Sequence, residues 1–208
     1  APAAVHSCIV VEGGVPLHGT VAIGGSKNAA LPILAACLLT PDPCTITNLP
    51  DIEDIDTMLQ VLVTLGIEIE RLDRHRVRVR AATIANTRVP LSLGKRMRAS
   101  FLVVGPLLAR LGRAEAPHPG GCALGMRPVN VDVHGFRRMG AQVVQEDDFY
   151  RASATRLHGE RVYLDYPSHT GTENLLMAAC GAEGVTTIRH ASIEPEVADL
   201  ATFLQRLG

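Results

Sequence analysis

Apolar residues recur along this chain at two spacings. At helical spacing they predict helices over residues 28–39, 57–65, 98–111, 131–139, 173–182 and 197–207. Strict alternation in Ile67-Glu68-Ile69-Glu70, Val77-Arg78-Val79 and Ala141-Gln142-Val143-Val144 predicts half-buried strands. Leu65-Gly66, Met139-Gly140 and Leu207-Gly208 each set a glycine where a helix should stop, as a left-handed C-terminal cap requires.

The elements repeat. Leu17-His18-Gly19, with Val21-Ala22-Ile23 after it, returns about 140 residues later as Leu157-His158-Gly159 with Val162-Tyr163-Leu164. Each copy then enters a polar turn and an Ala/Leu-rich helix. A Thr-Ile strand follows, within Cys44-Thr45-Ile46-Thr47 and Thr186-Thr187-Ile188-Arg189. Next come an acidic stretch, Asp51-Ile52-Glu53-Asp54 or Ile193-Glu194-Pro195-Glu196, and a second helix. A middle copy has its helices at 98–111 and 131–139. The unit is β-α-β-α-β-β, about 70 residues long, and occurs three times, over about 13–82, 83–154 and 155–208. The fold class is therefore α/β. The third unit lacks its last two strands, which would leave a sheet edge unprotected, so the chain is expected to be part of a longer protein.

Composition narrows the function classes. The chain has 208 residues, 47% hydrophobic and 20% charged, with a formal net charge of −1. No global field argues for nucleic acid or an acidic membrane. Aromatics are 3% and Trp is absent, so stacking on bases is not the main binding device. The cysteines Cys8, Cys37, Cys44, Cys122 and Cys180 are widely spaced, without C-x-x-C, which predicts neither a disulfide framework nor a zinc site. The scattered histidines predict no metal. No apolar run reaches a membrane span, and a reducing cytoplasm fits best.

Four stretches carry candidate chemistry. Pro119-Gly120-Gly121-Cys122 sets a thiol in a glycine-rich turn, with Arg127 five residues on. A cation can tune a thiol, and glycines let backbone N–H groups approach an anion. The alternative is a turn before an inert core thiol. Gly24-Gly25-Ser26-Lys27-Asn28 lies between a strand and a helix, so Ser26 can cap and the helix start plus Lys27 can hold an anion. It can equally be a capped helix with an exposed lysine. Lys95-Arg96-Met97-Arg98 is expected to open the middle helix, against the helix dipole, a cost an anion would offset. Pro167-Ser168-His169-Thr170 matches the turn at 24–28. It can serve a phosphate, or Thr170 and Glu173 can form a plain capping box.

Together, Gly25-Ser26-Lys27-Asn28-Ala29-Ala30-Leu31-Pro32, Met97-Arg98-Ala99-Ser100, Pro119-Gly120-Gly121-Cys122 with Gly125-Met126-Arg127-Pro128-Val129, and Glu194-Pro195-Glu196 resemble the enolpyruvyl transferase superfamily. The resemblance runs from about Val10 to Gly208. It implies an inverted α/β barrel domain of three repeats, the third incomplete, with residues 1–12 packing on a second domain. It implies, in the branch acting on nucleotide sugars, transfer of the enolpyruvyl group of phosphoenolpyruvate to the 3′-hydroxyl of UDP-N-acetylglucosamine, with release of phosphate and no cofactor. Cys122 would be a loop thiol protonating phosphoenolpyruvate. Lys27, Arg98 and Arg127 would hold its phosphate and carboxylate. Asn28 would touch the amino sugar, Arg127, Pro128, Val129, Asn130 and Val131 would line the uridine, and Ser168, His169 and Thr170 would approach the diphosphate.

Three positions depart from the family's pattern. Asn130 replaces an Asp near the uridine, Thr170 replaces a glycine, and Tyr166 stands where Lys or an aromatic is usual. The second domain, with an aspartate base and further arginines, is not in this chain. Alternatives are a relative with another nucleotide acceptor, or a non-catalytic nucleotide-sugar-binding protein of half length.

Overall fold

The computed structural model describes residues 8–119 and 128–208. Its elements fall into three successive groups. The first holds helix α1 (Lys27–Ala36), strand β1 (Cys44–Ile46), helix α2 (Glu53–Thr64) and strands β2 (Glu68–Asp73) and β3 (Arg76–Arg80). The second holds α3 (Leu91–Arg96), a 3-10 segment (Arg98–Val103), α4 (Val104–Leu111), β4 (Arg113–Pro117), α5 (Asn130–Arg138), β5 (Gln142–Glu146) and β6 (Phe149–Ser153). The third holds β7 (Arg161–Tyr163), α6 (His169–Ala179), β8 (Thr187–Arg189) and α7 (Pro195–Leu207).

Each group builds its own small sheet. The orders are β1-β3-β2 and β4-β6-β5, all antiparallel, and β7-β8, parallel. One face of each is wet. In β3, Val77 and Val79 point into the core, while Arg78 and Arg80 point out and pair across the strand with Glu70 and Glu68. The core lies on the helix side. Helix α6 packs on both α4 and α1, and α1 also packs on the 3-10 segment, with α2, α5 and α7 beside them. Leu34, Leu62, Leu107, Phe136, Leu175 and Met177 are fully buried there. Each such side chain contributes roughly 1.5–3 kcal/mol. Helices inside and sheets outside make this an inverted α/β barrel. Arg110 joins the first two groups by donating to the carbonyls of Leu38 and Thr40 at 2.9 and 3.3 Å.

The expected helix stops are present: Gly66 and Gly140 sit at φ +88° and +96° after α2 and α5. Four local expectations change. Val21 and Ile23 form no strand and are 81% and 85% exposed. Alternation suits a strand, but a ladder also needs a partner backbone, and among the described residues none pairs with them. In the second group that position is held only by a bridge from Arg88 to Glu115. The helix expected over 98–111 begins as a 3-10 segment and turns α-helical at Val104. Pro106 has no N–H for the Leu102 carbonyl, which removes one α-helical bond across this junction. A separate helix precedes it, so Lys95 and Arg96 close α3, where the dipole favours them, and only Arg98 opens the next segment. Finally, Ser168 caps α6, so Thr170 and Glu173 form no capping box.

Candidate functional site

The three repeats converge on one place. One helical segment of each group, starting at Lys27, Arg98 and His169, has its N-terminal end at a shared cavity of about 720 Å³. Residues 27–31, 96–99 and 166–170 supply most of its wall. At two of the three starts a serine closes the turn. Ser26 Oγ accepts from the Ala29 N–H at 3.4 Å, and Ser168 Oγ from the Gly171 N–H at 3.1 Å. Neither α1 nor α6 has an acid in its first turn, whereas α2, α5 and α7 each do. The positive ends of α1 and α6 therefore face the cavity uncompensated by their own side chains, which suits an anion.

The sequence-predicted residues take these places. Lys27 Nζ lies 2.9 Å from Asp54, both half-exposed at the cavity wall. Arg98 donates from Nη2 to the Pro128 carbonyl at 3.3 Å and to Thr170 Oγ1 at 3.4 Å, which ties the second group to the third. Asn28, Pro128, Ser168, His169 and Thr170 line the same cavity. Asn130 stands at its rim, where its Oδ1 accepts from the Tyr166 hydroxyl at 3.1 Å. Val129 and Val131 are buried in the core, and the Val129 carbonyl accepts from the Val133 N–H at 2.9 Å. Cys122 and Arg127 lie outside the described residues.

Behind the wall is a buried polar layer that sequence patterning did not single out. His169 Nε2 faces the carboxylate of Glu173 at 3.2 Å, and Glu173 is only 1% exposed. Glu173 pushes the His169 imidazole above its ordinary range. Burial pushes the Glu173 carboxyl up as well. Asp132, 2% exposed, is pushed by burial up to about 6, although a hydrogen bond from Asn174 and the Arg98 charge pull the other way. The available signal was the polar run Thr172-Glu173-Asn174 inside an apolar helix, but periodicity alone cannot say which side of a central helix is dry.

Two outcomes follow from this layer. Glu173→Gln should bring the His169 pKa down, as read from its ring protons across a pH titration. An unchanged titration would remove Glu173 as the cause. Second, Asp132, Glu173 and His169 all hold protons more tightly in the folded chain. Folding then takes up protons, so stability falls as pH rises. Asp132 alone, moved from 3.8 to about 6, accounts for about 3 kcal/mol between roughly pH 4 and 6. Glu173 and His169 carry the fall towards neutral pH. The exposed Asp73 and Glu160, whose carboxyls are lowered, act oppositely at more acid pH. The Cys44 thiol, lowered to about 7 by its hydrogen bond with Cys37, acts oppositely above pH 7, a smaller effect than the fall from the other three groups. The urea midpoint should therefore drop from pH 4.5 to pH 8, and a rising midpoint contradicts this account.

Comparison with known proteins places this arrangement. Residues 11–208 match the family EPSP synthase (3-phosphoshikimate 1-carboxyvinyltransferase). The chain is 51% identical over 199 residues to UDP-N-acetylglucosamine 1-carboxyvinyltransferase of Idiomarina loihiensis, covering 95% of this chain and 48% of that protein. It is 47% identical over 200 residues to the protein of the same name from Hydrogenovibrio crunogenus, again covering 48% of it. The chain thus spans about half the length of the relatives it matches. Among solved structures, the enolpyruvyl transferase NikO from Streptomyces tendae superposes with a TM-score of 0.80 at 23% identity, over 94% of this chain and 46% of that one. EPSP synthase from Acinetobacter baumannii superposes with a TM-score of 0.68 at 20% identity, over 86% of this chain and 42% of that one. At those identities the likeness shows the fold.

Proposed function

We propose that this chain, which belongs to the EPSP synthase (3-phosphoshikimate 1-carboxyvinyltransferase) family, forms one wall of the active site of an enzyme that moves the enolpyruvyl group of phosphoenolpyruvate to the 3′-hydroxyl of UDP-N-acetylglucosamine. The reaction releases phosphate and is the first committed step of peptidoglycan synthesis, a cytoplasmic one. The observation that carries this reading is the convergence of three helix starts, with Lys27 and Arg98, on one cavity. Both substrates are polyanions, and such a site holds them by geometry rather than by covalent bonds.

In this reading Lys27, Arg98 and Arg127 grip the phosphate and carboxylate of phosphoenolpyruvate. Asn28 meets the amino sugar, and the run from Arg127 to Val131 lies along the uridine. The turn at Ser168, His169 and Thr170 takes the diphosphate. Cys122 gives its proton to the methylene carbon, and the neighbouring carbon becomes oxocarbenium-like. The sugar hydroxyl adds there and loses its proton to a base, giving a tetrahedral ketal. Loss of a proton from the new methyl group and departure of phosphate then leave the enol ether. The names and identities of the relatives support this acceptor. The remaining half that the relatives carry would close the cleft and supply the base.

Phosphate release tests it. The 208-residue chain, alone and with that remaining half, would be supplied with phosphoenolpyruvate and either UDP-N-acetylglucosamine or UMP, beside a Cys122→Ala control. Release that needs UDP-N-acetylglucosamine, Cys122 and both halves is the expected result. Release with UMP in its place would move the acceptor assignment to a simple nucleotide, and none with either acceptor would end the reading.

A further inference from the structure

We infer that Asp132 is a positioning residue: its buried carboxylate is the fixed counter-charge that aims the Arg98 guanidinium into the cavity, with Asn174 locking the carboxylate in place. This inference rests on the proposed function only in naming what Arg98 grips.

The geometry is as follows. Asp132 lies in the first turn of α5, and Asn174 is near the middle of α6. They are 2% and 1% exposed. Asn174 Nδ2 donates to Asp132 Oδ1 at 2.9 Å and to the Phe101 carbonyl at 3.2 Å. Its Oδ1 accepts from the Gly105 N–H at 2.7 Å. One amide therefore ties α5 and α6 to the 3-10 segment that begins with Arg98 and to the start of α4. Asp132, Asn174, Thr170 and Arg98 all border a void of only about 10 Å³ directly behind the main cavity. That is at or below the space one water needs, so the void these residues share holds no mobile solvent to screen the carboxylate from Arg98.

A buried carboxylate beside an anion site needs a reason, because it costs stability and repels the ligand. Fixing a cation is such a reason. A guanidinium has donors on more than one edge. With the Pro128 carbonyl and Thr170 Oγ1 accepting from Nη2 and the Asp132 charge buried behind it, the fork is set before the ligand arrives. An arginine without that counter-charge attracts an anion at least as strongly but samples many rotamers. The loss would then appear in the reacting complex rather than in binding. The charge of Arg98 also lowers the Asp132 carboxyl against the effect of burial. Glu173 on α6 acts the other way on Asp132, and Tyr150 on β6 feels the Asp132 charge. These groups face the carboxylate from the packed elements around it.

Asp132→Asn is the test, with Asp132→Glu as the charge-keeping partner. In the assembled enzyme at pH 7.5, Asp132→Asn should lower kcat at least tenfold while KM for phosphoenolpyruvate changes less than threefold, and its melting temperature should not fall. Asp132→Glu should recover part of kcat. In the 208-residue chain, the Arg98 Nε–H resonance should be sharp in the native protein and lost to exchange in Asp132→Asn. A kcat within twofold of native, or a kcat loss that merely follows a lower melting temperature, overturns the inference. If the native enzyme itself releases no phosphate, the proposed function fails. The Arg98 resonance then decides the inference alone: retention in Asp132→Asn refutes it, and loss with an unchanged melting temperature supports it.

Discussion

Asn174→Ala should destabilise the 208-residue chain by about 3–5 kcal/mol at pH 8, the largest loss expected from any single truncation of a polar side chain in the described residues. The substitution removes little apolar area. It strands the Gly105 N–H and takes a hydrogen bond from the buried Asp132 carboxylate and from the Phe101 carbonyl, which keeps the Val104 N–H. A stranded neutral group costs about 1–3 kcal/mol, and a stranded charge costs more. Asp132 can escape part of this by taking up a proton, because burial already holds its carboxyl at about 6. The loss should therefore shrink at pH 5. Urea denaturation at both pH values checks it. A loss under 1 kcal/mol at pH 8, or one equal at both, would show that the amide is not what joins these elements.

Gly25→Ala should have the second large effect, on both the fold and the site. A Cβ at residue 25 would lie 1.8 Å from the Asn48 carbonyl oxygen and 3.0 Å from its carbon. That carbonyl cannot easily retreat. Asn48 already sits at φ +57°, and the next residue, Leu49, is held by a 2.9 Å backbone bond to His75 and a 2.7 Å bond from its imidazole. The turn before α1 must move instead, by about 1 Å or more, to restore ordinary contact. Ser26 would then leave its capping position and Lys27 would leave the cavity wall. Overpacking of this kind costs about 1–3 kcal/mol, and a 1 Å misplacement of a binding group about a hundredfold in rate. Gly24→Ala is the matched control, since a Cβ there meets nothing within 4 Å. Thermal unfolding and phosphate release on both variants test the pair. Equal behaviour of the two would mean that the Asn48 carbonyl does not constrain the turn.

The buried polar layer has a consequence for the working pH of the protein. A chain that gains stability on the acid side of neutral while keeping Asp132 ionised for Arg98 trades one against the other. Asp132→Asn should raise the unfolding midpoint at pH 8 and flatten its pH dependence. Because the same substitution should weaken catalysis, the two effects separate stability from function at one residue.

Local features of the sequence determined the local structure. Helical periodicity marked the cores of α1, α2, α5, α6 and α7, because a helix buries one stripe at every third or fourth position. Alternation marked β2, β3 and β5 for the equivalent reason. Ser26 marked a cap, and Gly66 and Gly140 marked helix ends, because those conformations depend on the residue itself. Matching turns before α1 and α6 were legible as repeats, and Lys27, Arg98 and His169 were legible as residues at segment starts, which the structure brings to one cavity. Only the tertiary structure decided what those signals could not carry. The strand expected at Val21–Ile23 is missing, since alternation supplies a face but not a partner. Lys95 and Arg96 turned out to end a helix rather than open one, since Met97 is extended and separates α3 from the segment that starts at Arg98. Asp132, Glu173 and Asn174 gave no periodic sign of their role. Their meaning comes from groups far away in the chain, such as Gly105, 69 residues from Asn174, and burial and pairing of that kind exist only once the three repeats have closed on one another.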